Sequence, residues 1–259
     1  MDGKRVVVTG ATGIAAASVR RLREEGAELF VISREENELE ELVAGLDGEG
    51  APIGWSAADL SVEDDTERAF ADALESLGHI DGLLAVAGGS GRRYGDGPAG
   101  EVTLSAWDKT ISMNLTPAFL AAREAIRAMR NDHSGSVVCV GSVLAEHPSP
   151  GLFATHAYAA SKGAVATFVK TTASYYAPDG IRVNGIAPGL VMTPMAERAA
   201  NDPEIVAYTE VKQPLAGGLL HPSAVADAAL FLLSDEASQI TGQVIDVDGG
   251  WGVTEVRIP

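Results

Sequence analysis

Tyr158 and Lys162 stand four residues apart in YAASKGAV, 158–165. On a helix that spacing puts a phenol and an ammonium on one face, about one turn apart. A phenol has a reference pKa near 10, roughly, and a neighbouring cation favours the phenolate. The pair therefore predicts a proton-transfer group shifted toward neutral pH, although the same spacing is common in ordinary surface pairs. Upstream, GSVVCVGSVLA at 135–145 sets Ser142 at the end of an apolar β-branched run, where a hydroxyl can hold a carbonyl oxygen or cap the strand. Asn114, in WDKTISMNLTPAF, is by itself an unremarkable helical amide that can bond to backbone.

A second constellation opens the chain. VVVTGATGIAAASVRRL at 6–22 runs from a strand pattern through Gly10 and Gly13 into helical spacing, with Ala15, Ala16 and Ala17 where a further glycine of a dinucleotide fingerprint would be expected. That glycine serves helix-strand contact, and a methyl adds little bulk there. Gly10 and Gly13 still let backbone N–H groups reach a phosphate at the helix N-terminus.

These residues need a scaffold, and the chain predicts one. β-rich runs near 4–9, 28–33, 52–58, 81–87, 136–141, 181–187 and 243–247 alternate with helical patterns, and no linker divides them. Such alternation implies right-handed βαβ units: one α/β domain over 1–259, a doubly wound Rossmann fold with a seven-stranded parallel sheet covered on both faces. Ligands of such sheets lie beyond the carboxyl ends of the strands. The expected site is thus Thr9, Gly10, Thr12, Gly13 and Ile14, then Ser33 and Arg34, Asp59 and Leu60, Ala87 and Gly88, Ser142, and Pro188, Gly189, Val191 and Thr193. Irregular stretches at 88–100, 143–156 and 190–220 leave the same edge and are expected to form the rim of a substrate pocket.

Composition bounds the partners. A formal charge of -17 argues against nucleic acid, whose affinity comes largely from Lys and Arg on phosphates. The single cysteine, Cys139, excludes an intrachain disulfide and a thiolate metal cage, and the five histidines show no metal-ligand spacing, so no metal is expected. The first strand pattern begins at Lys4, which leaves no room for a signal peptide, and no apolar run approaches the roughly 20 residues of a spanning helix. A cytoplasmic protein without membrane contact is expected, and NLT at 114–116 reads as a chance glycosylation match.

Taken together and in order, these motifs resemble the short-chain dehydrogenase/reductase family over nearly the whole chain. TGATGIA looks like its cofactor loop, Asp59 in AADL its adenine-contacting acid, and AVAG at 85–88 a variant of its Asn-Asn-Ala-Gly strand end. Asn114, Ser142, Tyr158 and Lys162 match its catalytic tetrad; IRVNGIAPGLVMTPM at 181–195 matches its nicotinamide segment and ITGQVIDVDGGW at 240–251 its last strand. The resemblance implies an NAD(P)-dependent oxidoreductase that interconverts a secondary alcohol and a ketone. Tyr158 would be the general acid/base and Ser142 would position the substrate oxygen. Lys162 would lower the tyrosine pKa and bind the nicotinamide ribose, and Asn114 would hold a water in the proton relay. It also implies a homotetramer, with a homodimer next.

Ala85 and Val86 depart from the family pattern and remove side-chain bonds that would tie strands together, which puts local stability in doubt. The competing readings are a catalytically silent dinucleotide-binding scaffold and an enoyl-type double-bond reductase of similar fold; the filled tetrad argues against both. His147 and His156 are expected at the surface or in packing, and Leu152, Phe153, Met192 and Met195 in an apolar pocket or lid. About 20 residues beyond the glycine loop, an NAD site carries an acid. Here LFVISREE at 29–36 offers Ser33 and Arg34 instead, so NADP(H) is the expected preference, with NAD(H) possible.

Overall fold

The computed structural model describes residues 1–46 and 52–255. Seven parallel strands, β1 (Arg5–Thr9), β2 (Glu28–Ser33), β3 (Gly54–Ala57), β4 (Gly82–Ala85), β5 (Gly135–Val140), β6 (Ile181–Pro188) and β7 (Val244–Val247), pair in the order β3-β2-β1-β4-β5-β6-β7. This is the doubly wound Rossmann sheet that the alternation predicts. Chain order reverses between β1 and β4, which pair with Val7 opposite Leu83, and the crevice for a ligand lies at that reversal.

Strand side chains alternate between faces, and helices cover each. Val7, Phe30, Leu83, Val137 and Val183 pack under α3 (Glu63–Leu77), α4 (Leu104–Met129) and α5 (His156–Tyr176). Val6, Val8, Val31, Leu84 and Val138 pack under α1 (Ile14–Glu24), α2 (Glu36–Ala44) and α8 (Pro222–Leu233). Two cores thus hold the strand ends rigidly at one edge. The third rim stretch is not irregular throughout as expected: it contains α6 (Glu197–Ala200) and α7 (Pro203–Lys212). Asp202 accepts from the Glu204 amide at 3.0 Å and Pro203 occupies the first helical position, a start signal legible in the sequence.

The tie that Ala85 and Val86 lack is supplied from β1. Thr9 Oγ1, 1% exposed, accepts from the amides of both Val86 and Ala87 at 3.0 Å. Its hydroxyl is therefore a strand tie. Thr9→Val keeps the shape but strands two amides. It should lower stability by about 1 to 3 kcal/mol, read from the urea unfolding midpoint.

Candidate active site

The strand ends bring the expected residues to one edge. Ser142 follows β5 and caps a short turn, its Oγ accepting from the Leu144 amide at 3.3 Å, and its hydroxyl lies close enough to the Tyr158 phenol to oppose the effect of burial on it. Lys162, 4% exposed, donates from Nζ to the Val140 carbonyl at 2.8 Å and lies 5.8 Å from the Tyr158 ring centre. The backbone of β5 thus fixes the ammonium, and α5 fixes the phenol above it.

Burial pushes the Tyr158 phenol up, with only the Ser142 hydrogen bond opposing, and the same burial brings the Lys162 ammonium down to about 8. The direction runs against the expectation that the lysine draws the phenol toward neutrality: burial is the largest influence on it, and the ammonium's bond goes to the Val140 carbonyl. At neutral pH the tyrosine therefore keeps its proton while the lysine is still charged. Burial also lifts the neighbouring Cys139 thiol to about 12, with Lys162 opposing, so that thiol is inert.

Asn114 is fully buried. Its amide nitrogen donates to the carbonyls of Thr110 at 2.9 Å and Gly89 at 3.0 Å, and its Oδ1 accepts from the Gly89 amide at 3.0 Å. Both side-chain protons are used, so the residue clamps the segment after β4 to α4, and its side chain has no proton left for a relay water. Pro117, inside α4, lacks the amide that would bond the Met113 carbonyl in a regular helix. Gly88 completes the packing: a Cβ there would stand 2.7 Å from Asn114 Oδ1 and 3.6 Å from Lys162 Nζ.

Two residues that position the site were not found in the sequence. Asp96, 6% exposed, accepts from the amides of Ala157 and Tyr158, each at 3.0 Å, and so caps α5 at the tyrosine itself. Gln213, fully buried, accepts from the Leu190 amide at 2.6 Å and donates to the carbonyls of Leu190 and Gly218 at 3.1 and 2.6 Å. It pins the segment after β6, and a side chain at Gly189 would collide with its Oε1.

The cradle at the other end fits a dinucleotide. Gly13 begins α1 at φ 55°, no side chain caps the helix, and no acid lies in its first turn, so its leading amides suit an anion. A Cβ at Gly13 would stand 2.8 Å from Thr193 Cγ2, which brings the segment after β6 against the glycine loop. Thr12 is exposed there and Ile14 partly so. The side chains of Leu60 and Val191 are buried in the cores, 4% and 5% exposed, which leaves their backbone for any cofactor contact. Pro188 closes β6, and Ser33 closes β2, its carbonyl accepting from the Ala58 amide at 2.9 Å.

Although burial works against its charge, Asp59 is held below the usual carboxylate range by the Ser61 hydroxyl at 2.7 Å and amide at 2.9 Å, with Arg34 and Lys109 near it. Arg34 is exposed and uses Nε on Glu35 at 2.9 Å. Among the histidines, His156 Nδ1 accepts from the Ala99 amide at 2.9 Å, and His147 Nε2 lies 3.2 Å from Asp246 Oδ2. Phe153 meets Trp251 edge-on at 5.1 Å and is lid packing, while Met192 and Met195 are exposed. Among the described residues no cluster could hold a metal ion, and no helix is long and apolar enough to cross a membrane.

An ordered proton-transfer cluster beside a dinucleotide cradle, on a doubly wound sheet, defines a class of nicotinamide-dependent enzymes. Comparison with known proteins agrees. The family profile described as Enoyl-(Acyl carrier protein) reductase matches residues 8–252. The chain is 35% identical over 257 residues to glucose 1-dehydrogenase of Gluconobacter oxydans (strain 621H), covering 96% of this chain and 91% of the relative. It is 35% identical over 246 residues to cis-4-hydroxycyclohexanecarboxylate dehydrogenase of Sinomonas cyclohexanicum, covering 95% of each. Among solved structures, levodione reductase aligns with a TM-score of 0.89 at 31% identity, covering 97% of this chain and 98% of that one. A short-chain type dehydrogenase/reductase from Mycobacterium ulcerans aligns with a TM-score of 0.91 at 30% identity, covering 98% and 92%. The chain belongs to the short-chain dehydrogenase/reductase family. It is an oxidoreductase of CH–OH and C=O groups that uses NAD(P)(H).

Proposed function

We propose that Tyr158 is the general acid/base of this reaction, that Ser142 holds the substrate oxygen, and that NADP(H) is the preferred cofactor. The observation that carries the first two roles is the convergence of the Ser142 hydroxyl and the Tyr158 phenol at the end of β5, with the anchored Lys162 5.8 Å from the phenol ring. When bound, the nicotinamide supplies or accepts the hydride. In ketone reduction Tyr158 gives its proton to the substrate oxygen, and in alcohol oxidation it takes one up. The two hydroxyls converge, so an oxygen held by Ser142 lies beside the proton it needs. Lys162 has two ammonium protons beyond the one on Val140, available for the hydroxyls of the nicotinamide ribose, and its charge favours the phenolate as it forms. Asn114 keeps the segment after β4 in place beside Lys162, where the relay water would be held. Gly10, Gly13 and the α1 amides would take the pyrophosphate, Asp59 the adenine, and Ala87, Gly88, Pro188, Gly189 and Thr193 the cofactor's nicotinamide half.

The preference for NADP(H) rests on Ser33, which carries no charge to repel a 2'-phosphate, and on Arg34, whose Nη groups remain beyond the Glu35 bond. Lys109, near Asp59, adds positive charge at the same end. Arg34→Ala should weaken NADP(H) about 10- to 150-fold, the loss of a hydrogen bond to a charged group, while barely changing NAD(H). Dissociation constants for both cofactors decide it: tighter NAD(H) binding by the wild type, or equal losses, would overturn the preference.

The reaction itself is tested by a panel of ketones, secondary alcohols and an enoyl thioester with both cofactors, followed by absorbance of the reduced nicotinamide. Turnover of ketones and alcohols is expected. Cofactor binding with no turnover would point to a silent scaffold, and turnover of the thioester alone to a double-bond reductase. Exposed Phe119 on α4 and Tyr175 on α5, 42% and 69% exposed, support a homotetramer or homodimer. The charge of -17 supports a small-molecule substrate over nucleic acid, and the lone buried cysteine supports a cytoplasmic location.

A further inference from the structure

Just past β5 the Gly141 amide still bonds the Ile186 carbonyl of β6 at 2.7 Å, and beyond it the chain turns away from the sheet. The place of the Ser142 hydroxyl therefore depends on what holds the stretch that follows. That stretch is one tight turn. The Ala145 amide bonds the Ser142 carbonyl at 3.1 Å, and the Glu146 and His147 amides bond the Val143 carbonyl at 3.2 and 2.7 Å. A displacement of His147 is thus passed back to Ser142.

His147 is fastened on its other side to β7 and the chain that leaves it. Its carbonyl accepts from Trp251 Nε1 at 3.1 Å, its Nε2 lies 3.2 Å from Asp246 Oδ2, and a Cβ at Gly252 would stand 2.8 Å from its ring. Trp251, 2% exposed, is itself held. It shares a small core with Val143, the neighbour of Ser142, and meets the rings of Phe153 and Tyr208 at 5.1 and 5.7 Å. Asp248 stiffens the turn that presents the indole, accepting from the amides of Gly250 at 2.8 Å and Gly252 at 2.7 Å. The same ring therefore backs the serine turn and, through Phe153 and Tyr208, the second and third rim segments.

We propose that Trp251 and His147 are positioning residues for the reaction: fastened to each other and to Asp246, they fix the Ser142 hydroxyl at the place where the substrate oxygen is received. A buried indole N–H needs an acceptor in one direction, which gives the serine turn a single register against the chain after β7. A misplacement of about 1 Å can slow a reaction about 100-fold, so an anchor one turn from the serine is felt in the rate. The proposal rests on the reading of Ser142 as the residue that holds the substrate oxygen.

The test is single-turnover reduction of an accepted ketone by protein loaded with reduced cofactor, followed by loss of nicotinamide absorbance. Trp251→Phe, which keeps a ring in the core and removes the N–H, and His147→Ala are each made with Ser142 present and in a Ser142→Ala background. With Ser142 present, hydride transfer should slow about 10-fold or more in Trp251→Phe and about 3-fold or more in His147→Ala. Without it, either change should cost less than about 2-fold, because the effect runs through the missing hydroxyl. The dissociation constant of the reduced cofactor should move by less than about 3-fold, since the glycine loop follows β1, four strands from β7. Unaltered transfer in both variants, or equal slowing with and without Ser142, would overturn the proposal: residues that merely keep the protein folded slow both backgrounds alike. His147→Ala, at a partly exposed position, decides the matter if the core variant does not fold. Ser142→Ala alone separates the two claims. Wild-type transfer by that variant removes the reading of Ser142 itself, whereas slow transfer there beside fast transfer in Trp251→Phe and His147→Ala counts against the positioning alone.

Discussion

Tyr158→Phe should fold, bind the dinucleotide and lose turnover by on the order of 100-fold or more, as expected when a positioned acid/base is removed. The phenyl ring fills the same space on α5, and the amide of residue 158 still bonds Asp96, so the helix keeps its cap. What disappears is the one hydroxyl that meets Ser142. Steady-state rates with any accepted ketone, set beside cofactor dissociation constants, make the check. Near-normal turnover would show that another group moves the proton.

Lys162→Ala should be more damaging, because one ammonium serves two ends: it favours the forming phenolate and offers protons to the cofactor ribose. Both kcat and cofactor affinity should fall, and kcat/KM for the cofactor should drop beyond the roughly 100-fold of the tyrosine variant. Lys162→Met, which fills more of the buried space, guards against a cavity as the cause. The pH profile supplies an independent reading. Lys162 is charged below about 8, and the raised phenol stays protonated through that range. Ketone reduction by the wild type should therefore be level at neutral pH and decline as pH rises through about 8, where Lys162 loses its charge. In either variant that step should be missing. Unchanged cofactor affinity together with an unchanged profile would make Lys162 a structural cation.

The parts of this site that a reader finds in the sequence are those whose geometry is local. Tyr158 and Lys162 are set by one helical turn, Ser142 by the end of an apolar run, and Gly13 by the strand-to-helix turn it enables. The strands were equally legible, since their β-branched runs are interrupted by helical spacing. Asp96 was hidden because its amide partners lie 61 and 62 residues away, and Thr9 because it ties amides 77 and 78 residues downstream. Gln213 likewise shows its role only when α7 returns it to Leu190, 23 residues earlier. The direction of the Tyr158 shift is hidden for a related reason: spacing reveals a neighbouring charge, but the depth of burial that raises the phenol belongs to the whole fold.

The two clamps on the segment after β4 have a bearing on how new specificities arise. Asn114 grips Gly89 by both its amide and its carbonyl, and Asp96 is fastened to the start of α5. Residues 90–95 between them form a short stretch with fixed ends, in which buried Gly91 has no room for a side chain against Thr110 while Arg93 and Tyr94 are exposed. Variation at the exposed positions can redraw the mouth of the pocket while the acid, the ammonium and the strand edge keep their places, so selection can explore substrates without rebuilding the reaction.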